Sequence, residues 1–447
     1  MRVLNAHYDE LEHRWNVEQG GNYEKLVTPN GNASEPIHRW FHLKEAFSHR
    51  LLSRVLKDLR LGPNLRILDP YVGGGTTAAS AADALIRGEL NNVAIYGVET
   101  NPFLHLLAST KLQALQAPPE AFEQFGGAIA GAASRPNAPA VAVPALSTFH
   151  KAEYFNPAAL CELLKLCAAL ESRAHLGGTL AYNLGRICIA ASIEPASRLR
   201  RDGRTLRHAP EKMPVRPLSM FLDSVHSVAE DLPIEALPLS GLVSLSDGRS
   251  LKDLPGEAVG IDLAIFSPPY PNNIDYTEVY KLEAWLLGLY PEHSDFRSQR
   301  LRTVRSHPSV RYEDVYQYES SPHAEDVSEL LAPLIGAIPK GDRYTNGRTQ
   351  VVRGYFDDML RTLFAVYDRL RPGGHLVYVV GNSLHGSPRH RLLIAADLVI
   401  ARLAEIAGLQ VECLQIARLP QRRSNVTRYL RESIVFCRRP PATKEGE

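Results

Sequence analysis

Two short stretches of this chain carry groups whose types and spacing suit chemistry on a nitrogen heterocycle. The first is Ser267-Pro268-Pro269-Tyr270. Consecutive prolines donate no backbone hydrogen bond and hold a fixed turn. Such a turn aims the Ser267 hydroxyl and the Pro268 carbonyl outward as a pair of acceptors, with the flat ring of Tyr270 beside them. An acceptor pair next to an aromatic face suits the amino group of a planar heterocycle. A bare diproline turn is as often structural; the buried apolar run before it and a second stretch elsewhere sharpen the reading. That second stretch is Asp69-Pro70-Tyr71-Val72-Gly73-Gly74-Gly75-Thr76-Thr77. Its glycines let the backbone approach a ligand closely, and the helix that follows offers unpaired N–H groups to an anionic portion. There is no G-x-G-x-x-G, and the Asp-Pro opening suits a ligand with an ammonium and a carboxylate better than a pyrophosphate. Glu99, 24 residues after Gly75, ends an apolar run where a carboxylate can accept hydrogen bonds from both ribose hydroxyls.

These residues need elements to position them, and the pattern supplies βα units. Strands are expected at 66–70, 93–98, 261–266 and 376–380, with a weaker one at 243–245 that ends at Ser246-Asp247. Helices are expected from Thr76, over the three- and four-residue repeat from Phe356 to Leu370, and over roughly 391–407. Two closely linked strands near 411–417 and 432–437 close the set. Alternation of this kind predicts an α/β fold: a mostly parallel seven-stranded sheet covered on both faces, with an antiparallel edge strand. Residues 1–115 then hold an N-terminal segment and the first half of the sheet domain, and 240–440 the second half, with 441–447 a tail. Two stretches break the alternation: a mainly helical insertion at 116–239, opening on an Ala/Pro-rich linker at 127–145, and a lid-like insertion at 290–353.

Charge is segregated along the chain. Lys plus Arg number 50 against 49 acids, a formal +1. Segments 198–216, 297–311 and 418–431 nonetheless collect seventeen basic residues against two acidic ones. The pattern points to a polyanion-facing surface on a neutral body. With 45% apolar and 22% charged residues, the composition is that of an ordinary soluble protein, and no run approaches the roughly 18 apolar residues of a membrane span. Five cysteines without a C-x-x-C pair, and an opening without a hydrophobic signal region, predict a reducing cytoplasm, no membrane and no zinc site. Cys161 and Cys167 read as small core hydrophobes.

On these motifs the chain resembles the amino-methylating class of S-adenosylmethionine-dependent DNA methyltransferases. It is especially similar to those with a Ser-Pro-Pro-Tyr motif, which modify the exocyclic N4 amino group of cytosine. The likeness covers about 250 residues, roughly 36–115, 240–290 and 354–438. The family's cofactor loop is usually Asp-Pro-Phe-x-Gly-Ser-Gly-Thr-Thr; here Tyr71 replaces Phe and Gly74 replaces Ser. The resemblance implies a Rossmann-like class I methyltransferase fold with S-adenosyl-L-methionine as cofactor. By it, Asp69, Pro70, Tyr71, Gly73, Gly74, Gly75, Thr76 and Thr77 would lie at the methionine end. Glu99 would hold the ribose and Asp247 the adenine amino group. The segment from Trp40 to Ser48 looks like the motif that closes over the methionine, which brings in Lys44. The cofactor loop comes first and Ser-Pro-Pro-Tyr second, with a long insert between Glu99 and Asp247. Many relatives carry the motifs in permuted order or place the recognition region elsewhere, so 116–239 is the candidate target-recognition region while which insertion reads the bases stays open.

The implied reaction transfers a methyl group to N4 of a cytosine flipped out of the duplex, with Ser267, Pro268, Pro269 and Tyr270 as catalytic residues and Tyr270 stacked on the base. No covalent enzyme intermediate is required, and none of the cysteines follows a proline as carbon-5 methylation would want. Asn272, Asn273, Asp275 and Tyr276 either shape the base pocket or cap a helix. Arg198, Arg200, Arg201, Arg204, Arg207, Arg300, Arg302, Arg305, Arg422 and Arg423 would contact the polyanion, double-stranded DNA or alternatively RNA. A restriction-modification or defence partner is the associate such an enzyme implies; the sequence carries no sign of oligomeric state. The rival readings are methylation of adenine N6 in DNA, of guanine or adenine amino groups in RNA, and a non-catalytic nucleic-acid-binding protein of the same fold.

Overall fold

Ile67 and Leu68 sit side by side on one strand, yet each is fully buried in a different hydrophobic cluster. The same alternation splits Leu263 and Ile265 from Ala264 and Phe266, and Val377 and Val379 from Tyr378 and Val380. Side chains on a strand point to opposite faces, so a strand buried on both faces belongs inside a sheet covered by two layers.

The computed structural model describes residues 2–202, 205–272, 274–340, 345–387, 390–419 and 427–442. Its strands are β1 (Val17–Gln19), β2 (Asn64–Asp69), β3 (Asn92–Glu99), β4 (Leu199–Arg201), β5 (Leu206–His208), β6 (Leu239–Leu245), β7 (Ile261–Phe266), β8 (Leu370–Gly381), β9 (Ser383–Ser387), β10 (His390–Ile394), β11 (Gln410–Arg418) and β12 (Glu432–Arg438). Eight of them form the central sheet in the order β1-β11-β12-β8-β7-β2-β3-β6. All neighbours run parallel except β12, which is antiparallel to both β8 and β11. This is the Rossmann-like class I arrangement expected from the motifs, with one added strand. The added strand, β1, lies on the far side of β11, so β12 runs antiparallel within the sheet and not along its border.

The chain leaves β2 toward β3 on one side and leaves β7 toward β8 on the other. The carboxyl ends of β2 and β7 therefore meet where the winding reverses, the place where open α/β sheets bind ligands. Asp69 is the last residue of β2 and Ser267 follows β7 directly.

The 116–239 insertion is helical as expected, built from Phe122–Ala133, Pro157–Glu171, Ala174–Ile193 and Pro217–Asp231, with the β4–β5 hairpin projecting from it. Its buried Leu163, Leu184 and Phe221 belong to the same cluster as one sheet face. The expected linker at 127–145 begins instead as the second half of helix Phe122–Ala133, in keeping with alanine's high helix propensity. The 290–353 insertion begins on the first face, with Tyr290 and Phe296 in its cluster, and then packs toward the other, where Val304, Tyr318 and Leu331 join that cluster. The helix predicted from Phe356 starts earlier, at Thr345. The helix expected from 391 starts only at Ala396, because Leu392, Leu393 and Ile394 form β10 of a hairpin. A short apolar run has no periodicity that separates strand from helix. Cys167 is buried as expected, but Cys161 is exposed on the outer side of its helix. Among the described residues, no helix is long and apolar enough to cross a membrane, and no cluster of three His, Cys, Asp or Glu could hold a metal ion.

Candidate active site

The loop after β2 is held by the residue that opens it. The Asp69 carboxylate accepts the Tyr71 N–H at 3.0 Å and the Thr77 hydroxyl at 2.5 Å, clamping both ends of the glycine turn. Gly73 and Gly75 have φ of +52° and +82°, values that favour glycine, and Gly75 leads into helix Thr76–Ile86. A Cβ on Gly74 would stand 2.6 Å from Leu43 Cδ1, so the 40–48 segment closes tightly over this turn. Tyr71, in place of phenylalanine, donates or accepts a 2.6 Å hydrogen bond with Thr362 on the long helix Thr345–Arg369.

Glu99 ends β3 opposite this loop and accepts the Gly73 N–H at 3.0 Å and the Asn101 N–H at 2.8 Å. Burial pushes Glu99 up to about 7 against these hydrogen bonds. Burial likewise pushes Asp69 up to about 7, and the charge of Glu99 adds to the shift. Asp247, past the end of β6, behaves differently. Burial opposes its charge, but hydrogen bonds and charge from the Arg249 guanidinium overcome it and hold the carboxyl below the usual range.

Ser267, Pro268, Pro269 and Tyr270, after β7, line a cavity that Asp69, Pro70, Tyr71, Gly73, Gly74 and Thr76 also line. Glu99, Asp247 and Lys44 line the same cavity, and so do Asn272 and Tyr276. Gly75 and Thr77 are buried behind the wall and shape the loop from there. Lys44 is exposed, and its ammonium donates to the carbonyl of Arg201. Asp275 caps the short helix Tyr276–Val279 by accepting from Thr277 and Glu278 N–H groups, the capping alternative, while Asn273 lies outside the described residues.

Sequence reasoning missed two contributors. Beside Arg302, which the sequence singled out, Thr303, Val304, Ser306 and His307 of the second insertion form part of the wall, and so does Glu432 at the start of β12, facing Arg418 on β11. Only the basic residues among these carried a signal in the sequence; a lone glutamate before a strand carries none.

The arginines divide. Arg198, Arg200 and Arg207 are exposed on the β4–β5 hairpin, and Arg302 is exposed at the cavity mouth. Arg201, expected to face a polyanion, is instead buried between Glu194 (2.7 Å) and Glu283, with its guanidinium over the rings of Phe41 and Tyr280. Arg305 is buried in pairs with Asp357 (2.6 Å) and Asp358 (2.7 Å). Arg300 is largely covered and paired with Asp275 at 2.7 Å. The reason is common to all three: a carboxylate within reach offers a covered guanidinium more than solvent-separated phosphate would. Arg204, Arg422 and Arg423 lie outside the described residues.

No family model matches the chain. Among curated proteins it is similar to the Type II methyltransferase M.AvaI of Nostoc sp. and Anabaena variabilis, 24% identical over 90% of this chain and 84% of the relative. It is also similar to the Type II methyltransferase M.BsoBI of Geobacillus stearothermophilus, 23% identical over 93% and 88%. Its likeness to solved structures is low in both identity and TM-score. An rRNA methyltransferase of Streptomyces viridochromogenes is 10% identical over 88% of this chain and 85% of its own, with a TM-score of 0.29. A DNA modification methylase of Thermus thermophilus is 22% identical over 21% and 40%, with a TM-score of 0.17.

Proposed function

We propose that this chain is a DNA methyltransferase that uses S-adenosyl-L-methionine and modifies the N4 amino group of a cytosine flipped out of the duplex. The observation that carries the reading is that the diproline turn and the glycine loop, from strands remote in sequence, line one cavity at the point where the sheet's winding reverses. The similarity to Type II methyltransferases over 90% and 93% of this chain supports it.

The residues present fit the cofactor. Asp69 and Glu99, both pushed toward neutrality by burial, gain from a cationic ligand with hydroxyl donors. The turn at Gly73 and Gly74 leaves backbone, not side chain, at the wall. Glu99 would take the ribose, Asp247 the adenine amino group, and Lys44 with the 40–48 segment would close over the methionine portion. Bound there, the cofactor supplies an electrophilic methyl carbon on a sulfonium.

The chain's own residues act on the base. An aromatic amine is a poor nucleophile because its lone pair is delocalised into the ring. Accepting its two N–H bonds at Ser267 Oγ and the Pro268 carbonyl favours a pyramidal nitrogen and directs the lone pair outward. Tyr270 keeps its ring at the cavity wall, where an extruded base can lie against it. Arg198, Arg200, Arg207 and Arg302 would contact phosphates, with the 116–239 insertion as the region that recognises the target. The Type II names of the relatives make a cognate restriction partner the associate to look for.

Expression in a host free of DNA methylation, followed by sequencing that separates N4-methylcytosine from N6-methyladenine, tests the proposal. Methylcytosine at one recurring site is expected. Methyladenine alone overturns the cytosine assignment, and an unmodified genome together with no transfer to DNA in vitro overturns the enzyme.

A further inference from the structure

Ser267 donates its hydroxyl proton to the Tyr270 oxygen at 3.2 Å, and Tyr270 donates in turn to Glu432 Oε1 at 2.8 Å. The other carboxylate oxygen of Glu432 accepts from Arg418 Nε at 2.7 Å. The direction of this chain is forced from one end. A carboxylate only accepts, so Tyr270 must donate to it, and the phenol oxygen is left to accept from Ser267. With its proton committed, Ser267 has only lone pairs to offer the cavity.

Three adjacent strands build this arrangement. Glu432 on β12 is 6% exposed and stands opposite Gly381 on β8 and Arg418 on β11. Gly381 makes room for the phenol, since a Cβ there would fall 2.8 Å from Tyr270 Cε2. A residue from the distant end of the chain thus sets the hydroxyl orientation at the catalytic turn.

We infer that Glu432 is a positioning residue, acting through Tyr270, that makes Ser267 an obligate hydrogen-bond acceptor. Its consequence is selection of a base edge bearing an amino group over one bearing a carbonyl, which would need a donor at that point. A serine free to rotate would serve either. The inference rests on the proposed function and deepens it.

The test is single-turnover methylation of duplex DNA by the full chain, with separate measurement of cofactor affinity, for Glu432→Gln, Tyr270→Phe, Ser267→Ala and the Ser267→Ala/Glu432→Gln pair. Glutamine is isosteric but can donate to the phenol, and phenylalanine breaks the chain at its middle. Each single change is expected to slow the chemical step about 10- to 100-fold, the range of a lost charge-assisted hydrogen bond, with cofactor affinity within about twofold of wild type. In the Ser267→Ala background, Glu432→Gln should cost nothing more, because the group through which it acts is gone. Losses that multiply in the double variant, or cofactor affinity that falls in step with rate, overturn the positioning role alone. A wild-type chain that transfers no methyl group to DNA overturns the underlying function as well.

Discussion

At Ser267 a single oxygen separates binding from chemistry. It lies in the cavity wall on the turn after β7, whereas the glycine loop follows β2, so removing this one oxygen should leave cofactor binding intact. Ser267→Ala is expected to lower the methylation rate by about 100-fold, the scale of one removed oxyanion-type partner, while titration with S-adenosyl-L-methionine gives an unchanged Kd. The carboxyls across the cavity give a pH signature. Asp69 and Glu99 have folded-state values raised to about 7, above those of an unfolded chain. Groups raised in this way stabilise the fold fully below their unfolded values, and the contribution is lost as pH rises through about 7. The thermal midpoint of the ligand-free protein should therefore fall between about pH 5 and pH 8. Cofactor affinity should run the other way, strengthening over the upper part of that range as both groups ionise; Glu99→Gln should flatten both profiles.

Elements matter here through the ends they bring together. β2 and β7 pair in parallel through Ile67–Leu263 and Leu68–Ala264, which places residues 69 and 267 at neighbouring strand ends. The turn after β2 depends on Gly75, whose φ of +82° would strain any side chain and whose Cβ would stand 3.0 Å from Ala108 Cα. Gly75→Ala should destabilise the protein by about 1–3 kcal/mol in denaturant titration and weaken cofactor binding. The second insertion does not hang free as a lid. Arg305 fastens it to Asp357 and Asp358 on the long helix behind the site, and Gln299 donates to the Thr100 carbonyl at 2.7 Å.

Across the whole molecule, the three basic segments split into a structural set and a surface set. Arg201 and Arg305 are buried among carboxylates, whereas Arg198, Arg200 and Arg207 project from one hairpin. Removing one partner of a buried ion pair leaves the other uncompensated, so Arg305→Ala should cost about 3–5 kcal/mol of stability. Replacing Arg198, Arg200 and Arg207 with glutamine should leave thermal stability unchanged. It should reduce duplex affinity and flatten its dependence on log salt by about 0.9 per lost phosphate contact; unchanged binding would remove this hairpin from the interface. Arg201 links the two sets. Its backbone carbonyl takes the Lys44 ammonium, so the hairpin and the segment over the glycine loop share an anchor.

The sequence by itself determined the glycine turn, the diproline turn, the carboxylates at the strand ends and the alternation that makes the sheet. Each is a local consequence of backbone restriction or side-chain period, written within a few consecutive residues. Tertiary structure decided what depends on neighbours remote in the chain. Which arginines reach solvent is set by carboxylates that lie 7 to 82 residues away from Arg201 and about 52 from Arg305. The direction of the Ser267 hydroxyl is set by Glu432, 162 residues beyond Tyr270. Neither has a local pattern, because a hydrogen bond or ion pair is fixed by distance in space and the chain records only order.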